Sequence, residues 1–240
     1  MRFGGSLLLL ALLGAGSSGP QAWRTSPGPQ ARSTYPGPKP AGTLGTTAAD
    51  PVLDSARAEL AAGRYWHASR LLRSRSDGGD RTDPSETLLL ARADAGWKNW
   101  PGVVEGLEGA DWLDELESAE GRRLLGRGLE AAERWEDAAE SFARFRETGL
   151  SKSAAAPEAS REARSAARAG RWESVLEAME AAGEESLELV GWTALDVAEW
   201  LSDNGDVEHV VELLPWIRRD LAAADVAWEV EARTLLVAGD

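Results

Sequence analysis

Two histidines and a large number of carboxylates are the side chains in this chain whose types could do chemistry. His67 and His209 lie about 140 residues apart, with no second histidine four residues away and no cysteine anywhere. Zinc-type sites need three or four such ligands at helix or knuckle spacing, so no metal is expected. A serine nucleophile needs a histidine base and an orienting acid. The chain has no Gly-x-Ser-x-Gly elbow and no phosphate-cradling glycine loop, so no cofactor is expected either. Paired carboxylates such as Glu184/Glu185 or Glu177/Glu180 have the chemistry for glycosidic acid–base work. Catalytic carboxylates require a pocket that shifts their pKa, and among 40 acidic residues these pairs read as solvated helix exterior. No catalytic residue is assigned. The unusual inventory is eleven tryptophans, whose flat faces pack in cores or stack on planar ligands such as sugar rings.

Charge narrows the partners. Four of the 26 basic residues and one of the 40 acidic ones fall in the first fifty, which leaves 22 against 39, a net charge of −17, for residues 51–240. Nucleic-acid binding is driven by Lys and Arg neutralising phosphates, so DNA and RNA are excluded as expected partners. The same acidity repels anionic membrane surfaces.

The first fifty residues differ from the rest. "MRFGGSLLLLALLGAGSSG" carries one positive charge at Arg2, a seven-residue apolar run Leu7–Leu13 and small residues around Ser17 to Gly19. That order reads as a secretory signal over 1–19, and the run is too short for a bilayer core that needs about 20 residues. Without cysteine there is no lipoprotein thiol and no disulfide framework. The mature protein is therefore expected to be secreted or periplasmic, without a transmembrane span. Residues 20–50 hold six prolines among Gly, Ser and Thr, a composition that cannot bury enough apolar surface to order and predicts an extended tether.

Beyond residue 50 one pattern recurs. "GRYWHASRLL" (63–72), "KNWPGVVEGL" (98–107), "ERWEDAAESF" (133–142), "GRWESVLEAM" (170–179) and "GDVEHVVELL" (205–214) align on the anchors Tyr65, Trp100, Trp135, Trp172 and Val207. Three positions on stand Ala68, Val103, Ala138, Val175 and Val210; seven on stand Leu72, Leu107, Phe142, Met179 and Leu214. Offsets of three and seven share a helix face. Nine positions before each anchor stand Ala56, Ala91, Gly126, Ala163 and Ala198, always small, so that a neighbouring helix can approach closely. The anchor itself is expected to wedge between the two helices, with truncation costing roughly 3–5 kcal/mol.

The pattern predicts helices at 51–62 and 65–75, 84–97 and 101–108, 118–132 and 135–147, 158–169 and 172–182, 187–202 and 206–218, then 223–238. Pro51, Pro84 and Pro157 sit at or near the first turn of a leading helix, and Asp83 caps "DPSE" with Glu86 three residues on. Pro101 and Gly102 shorten the second helix of the second unit, and "GADWLDELES" (109–118) needs an irregular connection or short extra turn. In the last helix Ala232 takes the small column and Gly239 the turn, so the domain, 51–240, is expected to hold about five and a half hairpins. A Leu235/Leu236 face without a partner is an improbable natural end, and the chain is expected to be the leading part of a longer protein.

A period near 35, a turn glycine followed two residues on by an aromatic, and Ala or Val at the next same-face position resemble the tetratricopeptide repeat over residues 51–240. Lys98 and Glu133 stand where that family has glycine. The resemblance implies an all-α superhelical solenoid of antiparallel hairpins that binds a partner protein or peptide. With the leader, the tether and "EGRRLLGRGLEAAERWEDAAESFARF", the chain also looks like the N-terminal superhelical domain of soluble lytic murein transglycosylases. This second resemblance implies a non-catalytic scaffold that guides peptidoglycan glycan strands through a concave groove toward a catalytic domain beyond residue 240. "AESF" (139–142) resembles that family's Glu-Ser motif, but Glu140 falls inside a repeat helix and no "GLMQ" follows, so no catalytic residue carries over.

Overall fold

Five helical hairpins follow one another in a computed structural model of the protein, which describes residues 50–76, 83–148 and 152–238. The chain divides into two units, Met1–Thr46 and Thr47–Asp240, and every described residue lies in the second. The leader, and the tether apart from Asp50, lie outside the described residues. The hairpins are α1 (Pro51–Ala61) with α2 (Tyr65–Ser76), α3 (Pro84–Gly96) with α4 (Trp100–Leu107), α5 (Glu120–Ala131) with α6 (Trp135–Glu147), α7 (Lys152–Arg168) with α8 (Trp172–Gly183), and α9 (Leu187–Asp203) with α10 (Val207–Ile217). A final helix, α11 (Leu221–Ala238), packs on α9 and α10.

All five bends are built alike. The residue two before each anchor is left-handed: Gly63 (φ 72°), Lys98 (68°), Glu133 (57°), Gly170 (70°) and Gly205 (77°). The next backbone N–H then reaches back to the leading helix, Arg64 to Glu59, Asn99 to Asp94, Arg134 to Leu129, Arg171 to Ala166 and Asp206 to Leu201, all at 2.8–2.9 Å. This six-to-one bond closes carbonyls a helix end would otherwise leave open. Each anchor is consequently the first residue of the second helix.

Burial follows the aligned columns. Ala68, Val103, Ala138, Val175 and Val210 are fully buried, as are Ala56, Ala163 and Ala198 of the small column. A Cβ on Gly126 would come within 2.7 Å of the Phe142 ring, so the small column and the column seven past the anchor meet face to face. In the fifth hairpin Leu214 is only half-buried and α10 buries Val210, Leu213 and Ile217 instead. Pro215 lies inside that helix, where its missing N–H removes one rung.

Several expectations need correction. The anchors are not deep wedges: Tyr65 is 39% exposed and the other four are half-buried. Two of them also point forward, since the Tyr65 ring lies against Gly96 and Trp172 stacks on His209, each in the following hairpin. A residue at the very start of a helix sits beside the bend, too far along to enter its own interhelical seam. Truncation at half burial is worth roughly 1–2 kcal/mol in lost burial rather than 3–5. The helix expected from 158 begins earlier, because the Ala154–Ala156 run carries α7 back to Lys152 and leaves Pro157 in its second turn. "GADWLDELES" does form short extra turns, two 3-10 segments at Asp111–Asp114 and Leu116–Ala119, with Glu117, Ser118 and Ala119 left-handed. Ala232 is exposed, since no second helix covers α11 among the described residues, and Gly239 lies outside them.

Successive leading helices are joined by a row of arginines eight residues before the anchors. Arg92 of α3 bridges Glu117 and Glu120, Arg127 of α5 bridges Glu158 of α7, and Arg164 of α7 bridges Asp196 of α9 at 2.6 Å. Arg161 returns from α7 to Glu130 of α5 at 2.5 Å. Glu158 and Glu162, one turn apart on α7, are both buried, and Glu162 is held by Arg146 of α6 at 2.9 Å.

Candidate functional site

The residues singled out for their chemistry are dispersed. His67 lies on the exterior, with its ring edge against Trp66 and Nδ1 3.7 Å from Glu59. His209 is four hairpins on, with Nδ1 2.7 Å from an Asp206 carboxylate oxygen. Glu140 is exposed and paired with Arg144 at 2.6 Å. Glu177, Glu180 and Glu184 line a cavity of about 500 Å³ with Arg146, Ala155 and Ala159. Behind it burial pushes the Glu162 carboxyl up against the pull of Arg146, and Glu177 and Glu147 add to the rise. These acids face one another and an arginine, with no serine or histidine among the cavity-lining residues.

A second cleft, of about 440 Å³, is built from the bends of the fourth and fifth hairpins. The left-handed Gly170 and Gly205 turn the chain back so that Trp172 begins α8 and His209 sits in the first turn of α10. Asp206 caps that turn, accepting the His209 N–H at 3.4 Å, and also fixes the imidazole ring. The imidazole and Trp172 stack with centroids 4.2 Å apart, and the indole N–H donates to Glu212 at 2.7 Å.

Opposite them Arg168 ends α7 with its guanidinium carbon 5.1 Å from the Trp135 ring and 6.0 Å from that of Trp200. One N–H donates to the Arg164 carbonyl at 3.2 Å, and among the described residues no carboxylate is within ion-pair distance. Asn204, whose amide donates to the Trp200 carbonyl at 2.7 Å, completes the lining with Leu201. Two indole faces and a guanidinium that no described carboxylate pairs with can hold a group that is flat or apolar on one side and negatively charged on the other.

Of the sequence anchors, Trp172 lines this cleft and Trp135 backs its arginine, while Tyr65, Trp100 and Val207 do not line it. Arg168 was not picked out by the sequence. Its signal was a column break: four residues before the anchors the other hairpins have Ala61, Gly96, Ala131 and Asp203.

The sequence matches no protein-family model and no curated protein. Among solved structures it is similar to MamA MSR-1 C2, with a TM-score of 0.53 and 18% identity over 76% of this chain and 96% of that one. A kinesin-light-chain-type protein of Podosopora anserina with nearly identical TPR-like repeats gives a TM-score of 0.48 and 19% identity over 76% and 94%. With five identically closed hairpins at a spacing near 35, the chain has a tetratricopeptide-like helical repeat fold, and the likeness to MamA is one of fold.

Proposed function

We infer that this chain is a non-catalytic adaptor of the bacterial cell envelope whose helical repeats hold a segment of a partner protein. The observation that carries this is Arg168, set between two indoles at the mouth of a cleft and, among the described residues, within ion-pair distance of no carboxylate. An extended peptide that places an acidic side chain beside an apolar or aromatic one satisfies both halves of the cleft. The test is fluorescence anisotropy of labelled twelve-residue peptides that vary those two positions. Binding should fall at least about tenfold in Arg168→Ala and Trp200→Ala while the helical circular-dichroism signal is kept. Equal affinity for peptides with and without the acid sinks the reading.

A second reading makes the chain the front part of a peptidoglycan lytic transglycosylase, acting as a glycan guide in the periplasm. Its support is the set of exposed indoles Trp66, Trp97, Trp192 and Trp228, platforms on which pyranose rings can stack. Co-sedimentation with purified sacculi tests it. Export is tested separately, by N-terminal sequencing of the protein recovered from the medium or periplasm, which should begin near residue 20.

A further inference from the structure

Arginines in this domain are held in two ways. Many pair with acids, as Arg64, Arg92, Arg127 and Arg134 do. Three instead stack on indoles: Arg70 on Trp66, Arg168 on Trp135 and Trp200, and Arg219 on Trp216. Among the described residues none of these three is within ion-pair distance of a carboxylate. An indole face orients a guanidinium without occupying its N–H edge, which stays open to an incoming anion. Where acids outnumber bases 39 to 22, as they do over residues 51–240, an arginine kept apart from acids is a departure that solubility does not require.

Arg70 and Arg168 each line a cleft, and the two clefts share further parts. The Arg70 cavity, of about 410 Å³, lies where α2 meets the bend of the second hairpin, and Trp66, Trp97 and Asn99 line it. The Arg168 cleft has Trp172, Trp200 and Asn204 in the same roles. These are the two asparagines of the whole chain. Asn99 precedes α4 yet makes no cap bond through its side chain, so its amide is not engaged by the helix. Behind the cavity the buried Asp94 accepts from the Ser69 hydroxyl at 2.6 Å, from Arg73 at 2.6 Å and from the Trp97 indole N–H at 3.3 Å. That cluster fixes the Trp97 ring in advance and leaves Arg70 as the cation facing outward, an arrangement that lowers the ordering cost of binding.

We propose that the Arg70 cavity is a second docking site for the partner segment, taking another acidic side chain that stands beside an aromatic one, so that one segment is held at two points. The proposal rests on the peptide-binding reading of the Arg168 cleft. The net charge excludes a continuous acidic run, which the domain as a whole repels; isolated acids, each next to an aromatic, meet the two arginines without that penalty. Glu105 on the rim opposes an anion and makes this the weaker site, filled once the first anchor has brought the segment near. All the bends lie at the same end of their hairpins, and the two clefts are two to three repeats apart. At about 8–10 Å per packed helix that is about 20–30 Å. An extended chain covers it with about six to ten residues between the anchors.

The test uses the full chain with labelled Gly/Ser-based peptides bearing one or two Phe-Asp motifs, the two separated by about three or about fifteen residues, read by fluorescence anisotropy. The two-motif peptide with the long spacer should bind at least about tenfold tighter than the one-motif peptide, and the short spacer should gain no more than about twofold from its extra copy. Arg70→Ala and Trp66→Ala should each return the long-spacer peptide to one-motif affinity and leave the one-motif peptide within about twofold of the parent. Replacing Asp by Asn in either motif should remove the gain as well. Arg219→Ala, which takes away a stacked arginine that lines neither cleft, should change nothing, with circular dichroism confirming the helical fold of each variant. The proposal is overturned, with the Arg168 reading intact, if the long-spacer peptide binds no tighter than the one-motif peptide, or if its gain survives Arg70→Ala or the loss of one acid. Binding of neither peptide overturns both.

Discussion

Glu162 and Glu120 are both acids on leading helices, yet they respond to pH in opposite senses. Burial raises Glu162, with Glu177 and Glu147 adding repulsion that Arg146 does not cancel. Its contribution to stability is therefore full below the ordinary carboxylate value and is lost as pH rises through the raised one. Glu162→Gln, which fixes the neutral form, should melt at the same temperature as the parent or higher at pH 7, with the difference closing near pH 4. At Glu120 burial also pushes upward, but Arg92 and Arg123 outweigh it and hold the carboxyl low. That contribution is present above the ordinary value and disappears as pH falls through the lowered one. Glu120→Gln should lower the melting temperature by about 2–4 °C at pH 7 and converge with the parent in acid. Ser165 offers a simpler test: it is fully buried and its hydroxyl has no hydrogen-bond partner among the described residues, so Ser165→Ala should hold or raise stability. These residues were not legible in the sequence. Helical periodicity says which positions face inward, whereas Arg168, Asp94 and Glu162 take their meaning from groups on other helices that one-dimensional spacing does not bring together.

At the scale of the helix and its bends the sequence is far more readable, because the forces are local and repeat five times. The second helix of the third hairpin was expected at 135–147 and spans Trp135–Glu147. The five anchors mark second-helix starts because each sits two residues past a left-handed position. Lys98 and Glu133, which looked like lapses from a glycine rule, adopt the glycine conformation anyway, since the six-to-one bond and the packed columns hold them there. A side chain in that conformation costs roughly 1 kcal/mol. Lys98→Gly and Glu133→Gly should therefore each raise the unfolding free energy by about that amount in urea titration, and no change at both positions would contradict the strained turn. The start of α7 departs from the expected boundary for the complementary reason: proline marks a helix start, but an alanine run has enough propensity to extend the helix past it.

Across the whole repeat unit, apolar packing falls into three clusters rather than one. The first is drawn from α1 to α3, the second from α3 to α6 with the intervening 3-10 segments, and the third runs from α6 through α11. Beside its packing on α6, α7 meets the preceding leading helix through two ion pairs, Arg127 with Glu158 and Arg161 with Glu130. Ionic seams transmit less cooperativity than apolar ones, because their net gain after desolvation is small. Nearest-neighbour coupling then predicts local rather than global responses to core mutation. Leu213 is fully buried in the third cluster, and Leu213→Ala should cost roughly 2–5 kcal/mol there. In native-state hydrogen exchange that loss should appear in α9, α10 and α11 and leave the protection of α1 to α4 unchanged. The mirror variant, Leu88→Ala in the second cluster, should loosen α3 to α6 and spare α10 and α11. A uniform fall in protection in either variant would mean that the hairpins unfold as one body, and that the arginine seam couples its neighbours as strongly as a continuous apolar core.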